Sequence, residues 1–343
     1  MDPLSQAALG AAAAQSRSEH GTLAPALWIG ALAGMAPDLD VFIRSGTDPL
    51  LFLEFHRQFT HSLLFIPIGA LLCAAAFYPL ARQRLRFGQV YVFALLGYAT
   101  HGLLDACTTY GTQLFWPITD HRYAWHNVSV IDPLFTLPLL GLVIIAWRKQ
   151  RPALASVGLI WALGYLGAGA LQHHRALSSA EQWIAEQGIT PERLEVKPSF
   201  GNIMVWKLIY EVDGVFYVDA IRAGLEIERL PGDRIKRLDI ARDFSWLKLS
   251  SQQAQDIERF RWFSDNWLAI DDGDPQLIVD MRYSTLANST RALWGIRLDP
   301  GKSQTDHIDW TPRQRTNRQE VDQFIAMITG RRDLPWEPLT DRP

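Results

Sequence analysis

The chain has 343 residues, a formal net charge of -3 and two cysteines, Cys73 and Cys107. Near-neutrality excludes the strongly basic surface that nucleic acid or an anionic lipid face would require, and two cysteines exclude a disulfide framework or a zinc ribbon. The ordinary hydrophobic content of 48% averages two unlike halves. Residues 23–172 are rich in Ala, Leu, Gly and Phe, whereas residues 173–343 carry Arg, Asp and Glu throughout. This predicts a membrane-embedded helical domain over 1–172 and a soluble α+β domain over 173–343.

Pro3 to Ala14 reads as a short helix. No Lys or Arg precedes Arg17, so the basic flank of a cleavable signal is missing and this helix is expected to stay in the mature chain. Leu23 to Ala36 is too short for a full span and suits a re-entrant or buried helix. Four stretches are apolar enough to cross a bilayer, giving a polytopic all-α bundle of about four spans: Ser62 to Leu80, Val90 to Cys107, Val128 to Trp147 and Ala153 to Leu171. Arg82, Arg84 and Arg86 join the first pair, and Arg148, Lys149 and Arg151 the second. Basic short loops face the cytoplasm, which turns the opposite ends of the spans and the C-terminal half outward.

In the C-terminal half, Asn202 to Tyr210 alternates as a strand, Asp213-Gly214 is a hairpin signal, and Phe216 to Ile221 returns. Gln276 to Tyr283 and Ala292 to Leu298 read as further strands. Gln252 to Phe263 and Arg318 to Ile328 read as helices. This half contains no concentrated catalytic motif.

Chemistry is concentrated at the outward ends of the membrane half. Asp38 and Asp40 follow Pro37, His56 and His61 precede the first span, His101 and Asp105 close the second, and Asp132 opens the third. His101 and Asp105 are four apart and share one helix face. Ionisable groups in an apolar span face a cavity or a partner. Imidazole and carboxylate donors suit zinc, with manganese or a two-metal site also compatible. Plainer readings exist for each. His101 and Asp105 can satisfy one another, Asp38 and Asp40 can mark a helix stop and turn, and Asp132 before Pro133 makes a common helix start. Asp40 or Asp132, if left off the metal, would be the general base. Arg57, Arg122 and His126 are the weaker candidates for holding substrate.

The runs Met1-Asp2-Pro3-Leu4, Pro37-Asp38-Leu39-Asp40, His56-Arg57 with Thr60-His61-Ser62, and Thr100-His101 with Leu103-Leu104-Asp105 resemble a bacterial family of membrane-bound metal-dependent hydrolases. Thr109 to Leu114, Trp116-Pro117 and Ile131-Asp132-Pro133-Leu134 resemble its long form, which has a C-terminal extension. The likeness is dense over residues 1 to about 140. It implies a divalent metal, held by Asp38, His56, His61, His101 and Asp105, and hydrolysis at the outer face of a bacterial inner membrane. The C-terminal domain would be periplasmic. The His-x-x-x-Asp step also resembles one in zinc-dependent phospholipase C. Two departures stand out: Gln6 and Gln58 occupy positions where many members have His and Gly. A site at the lipid boundary suggests an amphiphilic substrate, a lipid phosphate or ester. Two other readings stay open, a membrane anchor with a structural metal and an ion or proton transporter.

Overall fold

The computed structural model describes residues 1–312, 316 and 318–331. The end of the expected C-terminal domain, beyond residue 331, lies outside the described residues. The chain forms two compact units. The first holds Met1–Ile43, Phe55–Leu171 and Phe200–Asn202; the second holds Arg44–Glu54, Gln172–Ser199 and the chain from Ile203 onward.

The first unit is helical. Helix α1 (Pro3–Ser16) starts at Asp2, whose carboxylate accepts from the backbone N–H groups of Leu4 and Ser5 at 3.0 and 3.1 Å. Helix α2 (Leu23–Met35) follows, then a 3₁₀ segment, Ala36–Phe42, over the stretch read as a helix stop and turn. After α3 (Leu51–Phe55) and a 3₁₀ turn, Phe59–His61, come α4 (Ile66–Ala81), α5 (Phe87–Ala106), α6 (Pro133–Lys149) and α7 (Pro152–Glu186).

Helices α1, α2 and α5 pack together at glycines. A Cβ on Gly97 of α5, or on Gly10 of α1, would lie 2.4 Å from the Gly30 carbonyl oxygen of α2. Only the missing side chains allow this approach. Around the contact, Ala26, Ile29, Ala33, Ala70, Ala74, Phe93 and Ala94 form a buried core. Small residues thus do here what they do in membrane helix pairs, which gain by close van der Waals packing.

Two helices, α5 and α7, are long and apolar enough to cross a membrane. A third span results if Leu51–His61 and Ile66–Ala81, bent by 88°, count as one. The expected four are not reached among the described residues. Helix α6 has 17 residues, about 25 Å of helix against a hydrocarbon core of about 30 Å. Helix α7, in contrast, runs 35 residues without a break, well past the expected end at Leu171. It stops just before Gly188, which takes the left-handed conformation common after helix ends.

The second unit contains two antiparallel sheets. The first has the order β1 (Arg193–Pro198), β2 (Val205–Val212), β3 (Val215–Ala223), β4 (Ile227–Leu230), with β5 (Arg234–Lys236) also on β3. The second runs β6 (Leu268–Asp271), β7 (Asp274–Asp280), β8 (Trp294–Arg297), β9 (Asp309–Pro312). The expected hairpin is β2–β3, turning on Asp213 and Gly214, both with positive φ. Along β2, Trp206, Leu208 and Tyr210 pack with Ala176, Ala180 and Ile184 of α7. Ile209, on the opposite face, packs with Phe216, Trp267 and Val279. Both faces of β2 are therefore covered, and helices α8 (Ile240–Asp243), α9 (Gln252–Phe263) and α10 (Arg318–Thr329) complete the unit.

Segment Arg44–Glu54 belongs to this second unit although both its chain neighbours belong to the first. Arg259 of α9 explains why. Its guanidinium binds Asp48 at 2.8 Å, Glu54 at 2.5 Å and Asp256 at 2.9 Å. Phe52 packs edge-on against Trp310, with 5.3 Å between ring centroids.

Candidate metal centre

His101 projects from α5 with its Nδ1 2.6 Å from the Gly34 carbonyl oxygen. A carbonyl can only accept, so Nδ1 carries the proton and Nε2 is left with its lone pair. His61 is fixed in the same sense by a relay. Thr60 donates its hydroxyl proton to Asp40 Oδ2 at 2.8 Å. The Thr60 oxygen, 2.9 Å from His61 Nδ1, must then accept from it, and Asp40 Oδ2 lies 3.2 Å from the same nitrogen. In the neutral ring that metal binding requires, His61 Nε2 is then bare as well.

These two nitrogens face each other at 2.9 Å. Asp38 Oδ1 stands 3.5 Å from His61 Nε2 and 3.3 Å from His101 Nε2. Asp105 Oδ2 stands 3.3 and 3.7 Å from them. Four electron-pair donors thus converge, with one ligand atom from each within 4.8 Å of the others. Asp105 Oδ2 is buried without a hydrogen-bond partner. Arg57 Nε lies 3.1 Å from it as an ion pair whose N–H is not directed along a hydrogen bond. A buried acceptor left so is costly, and acceptors facing acceptors repel. A cation in their midst removes both penalties. Two imidazoles and two carboxylates form a set that zinc accepts in tetrahedral geometry.

The surroundings hold these groups in place. Asp40 is buried and serves two histidines: Oδ1 meets His56 Nδ1 at 2.7 Å, while Oδ2 meets His61, Thr60 and the Arg57 backbone N–H, the last at 3.1 Å. Burial alone would raise the Asp40 carboxyl; its hydrogen bonds to His56 and His61 outweigh this and hold it below the usual carboxylate range. Asp38 shows the same contest, burial pushing up and the hydrogen bonds with His101 and His61 winning. Gly102, beside His101 on α5, lets the 3₁₀ turn approach, because a Cβ there would lie 2.3 Å from the His61 carbonyl oxygen.

Of the residues expected at a metal, His61, His101, Asp38 and Asp105 converge as one group, and His56 joins through Asp40. Arg57 is buried with a left-handed φ of 66°, donates to Thr108 Oγ1 at 3.1 Å and lies over the Tyr110 ring. Arg122 donates to the Gly111 carbonyl at 3.0 Å, and His126 has a φ of 55°; neither belongs to the converging group. Asp132 caps α6 through the N–H groups of Leu134 and Phe135 and accepts from the Tyr165 hydroxyl at 2.9 Å. Its Asp-Pro start is the plain helix-start reading of that sequence.

Several neighbours support the centre without being metal-ligand types. Gln6 Nε2 donates to Asp105 Oδ1 at 3.0 Å, so the residue standing where a histidine is common still reaches the centre, but as a donor. The buried Met1 amine also donates to Asp105 Oδ1. Thr60 offers in sequence only its adjacency to His61.

A family model described as YdjM inner membrane protein matches residues 1–176. The chain is similar to the uncharacterised protein YfhP of Bacillus subtilis (strain 168), 24% identical over 198 residues, 57% of this chain and 59% of that protein. It thus spans less than two thirds of that relative. It is also similar to inner membrane protein YbcI of Escherichia coli (strain K12), 30% identical over 147 residues, 39% of this chain and 82% of that protein. No solved structure matches.

Proposed function

The chain belongs to the YdjM inner membrane protein family, and from that premise we propose that it is a metal-dependent hydrolase of the bacterial inner membrane. The observation that carries this reading is the pair of bare nitrogens, His61 Nε2 and His101 Nε2, turned toward Asp38 and the unpartnered Asp105 oxygen. Those four residues would hold the ion, zinc by the nature of the donors or manganese in its place. A divalent ion bound there supplies a Lewis acid and a water acidified to near neutrality. Asp40 acts on the ligands, fixing which nitrogen of His61 is protonated. In this reading Asp132 shapes the start of α6 and moves no proton.

Access supports an amphiphilic substrate, a lipid phosphate or ester. The 3₁₀ segment that carries Asp38 also presents Leu39 and Phe42, 62% and 77% exposed. Large apolar groups bordering a polar centre suit a molecule with both a head group and a chain. The basic connections Arg82 to Arg86 and Arg148 to Arg151 lie at the other ends of α5 and α7, which supports a periplasmic centre and a periplasmic C-terminal domain.

The test is hydrolysis of lipid phosphates and lipid esters in detergent micelles by the zinc-loaded chain, beside His61→Ala and Asp105→Ala. Turnover by wild type that both variants lose, with their gel-filtration profiles unchanged, is the expected result. Equal turnover in wild type and both variants sinks the reading.

A further inference from the structure

We propose that the centre holds two divalent cations bridged by the Asp38 carboxylate, the second bound by Asp40 and His56. This rests on the hydrolase reading above and concerns the same centre. Asp38, Asp40 and His56 form a second group whose ligand atoms lie within 4.8 Å of one another. Asp38 is common to both groups.

The first cation does not reach Asp40, whose ionisable partners are histidines alone. No lysine or arginine side chain pairs with Asp38 or Asp40 among the described residues; their charged-group partners are His56, His61 and His101. Asp40 nevertheless has a fully buried side chain. A buried carboxylate without a cation is costly unless it is neutralised or coordinated. Asp40 does not belong to the first group, so an ion held by His61, His101, Asp38 and Asp105 is not its ligand partner.

The two oxygens of Asp40 divide their work. Oδ2 is occupied by Thr60, the Arg57 N–H and His61. Oδ1 meets only His56. Asp38 turns Oδ1 to His61 and His101, and its carboxylate is the one shared with Asp40 and His56. A carboxylate shared in this manner is how two-metal hydrolytic sites set their spacing, at roughly 3.5–4 Å between ions.

Exposure distinguishes the two positions. His61, His101 and Asp105 are enclosed, whereas the Asp38 and His56 side chains are each 24% exposed. The enclosed ion is the tight one. The second, next to solvent, exchanges faster.

The full chain, purified in detergent, stripped with chelator and dialysed against manganese chloride, decides the matter. Metal content per chain and the low-temperature electron paramagnetic resonance spectrum are read together. Wild type should retain two manganese ions with an exchange-broadened spectrum, and His56→Ala should retain one with the six-line signal of an isolated ion. His56→Gln, milder at this loop position, should match His56→Ala. One ion with a six-line spectrum in wild type overturns the second site and leaves the hydrolase reading standing. Two coupled ions in the His56 variants also overturn it. No retained manganese in wild type, with none after zinc loading, overturns both.

Discussion

Asp40 and Thr60, neither of them in the group of His61, His101, Asp38 and Asp105, carry more of that group than their place beside it suggests. Thr60→Val keeps the shape and removes both the donor to Asp40 Oδ2 and the acceptor for His61 Nδ1. His61 is then free to move its proton to the nitrogen that faces the cluster. Losses of such supporting contacts typically weaken metal binding 10–100-fold, and a drop of about that size is expected in a competition titration against a zinc-binding dye. Asp40→Asn should do the same, because an amide offers one acceptor where two histidines each need one. An unchanged affinity in both would mean that His61 is held by something else. Residues of this kind explain how far the sequence could be read. His61, His101, Asp38 and Asp105 were legible because ionisable groups are rare in apolar surroundings. Thr60 and the Gly34 carbonyl were not, since threonine and backbone oxygens occur everywhere and gain meaning only from distance.

At the level of elements, the glycines set how close the helices come. Gly102→Ala changes no ligand, yet its Cβ would meet the His61 carbonyl oxygen at 2.3 Å, so the 3₁₀ turn must retreat from α5. Overpacking of this kind costs about 1–3 kcal/mol. The expected outcome is a lower melting temperature in detergent together with weaker zinc binding, whereas Gly88→Ala, with nothing within 4 Å of its Cβ, should leave both unchanged. The element pattern itself was largely legible. The 35-residue run of α7 and the shortness of α6 were the main departures. Hydropathy locates the apolar core of a helix well, but its ends depend on capping and on what the flanking turns pack against. In the soluble half the β2–β3 hairpin was readable from Asp213-Gly214. The short strands β4, β5, β6 and β9 were not, because three or four residues carry too little alternation to be recognised.

Across the whole molecule, the soluble unit has its own titration signature. Lys207 lies inside β2 and donates to Ser284 Oγ at 2.7 Å and to the Ser289 carbonyl at 3.0 Å. Burial lowers it to about 7 from an ordinary 10.5, with Asp233 and Asp280 opposing the fall. Between those two values the unfolded chain holds a proton that the folded chain has released. Stability therefore rises as pH increases through this window and levels off above it. The gain should be on the order of a few kcal/mol. Thermal melts of the full chain from pH 7 to pH 10 should show the soluble unit's transition moving upward, and Lys207→Met should flatten that slope. A slope that survives the substitution would assign the effect to another group.

Segment Arg44–Glu54 has a consequence for dissecting the protein. It is flanked in the chain by the stretches that supply Asp38 and Asp40 on one side and His56 and His61 on the other, yet Arg259 and Trp310 claim it for the soluble unit. Cutting at residue 172 therefore does not yield an intact membrane half. It strands eleven residues whose ion pairs and aromatic contact were on the piece removed, including the buried Leu50. In modular terms the two units are interleaved, and a minimal version needs this loop shortened or replaced as well as the C-terminus removed.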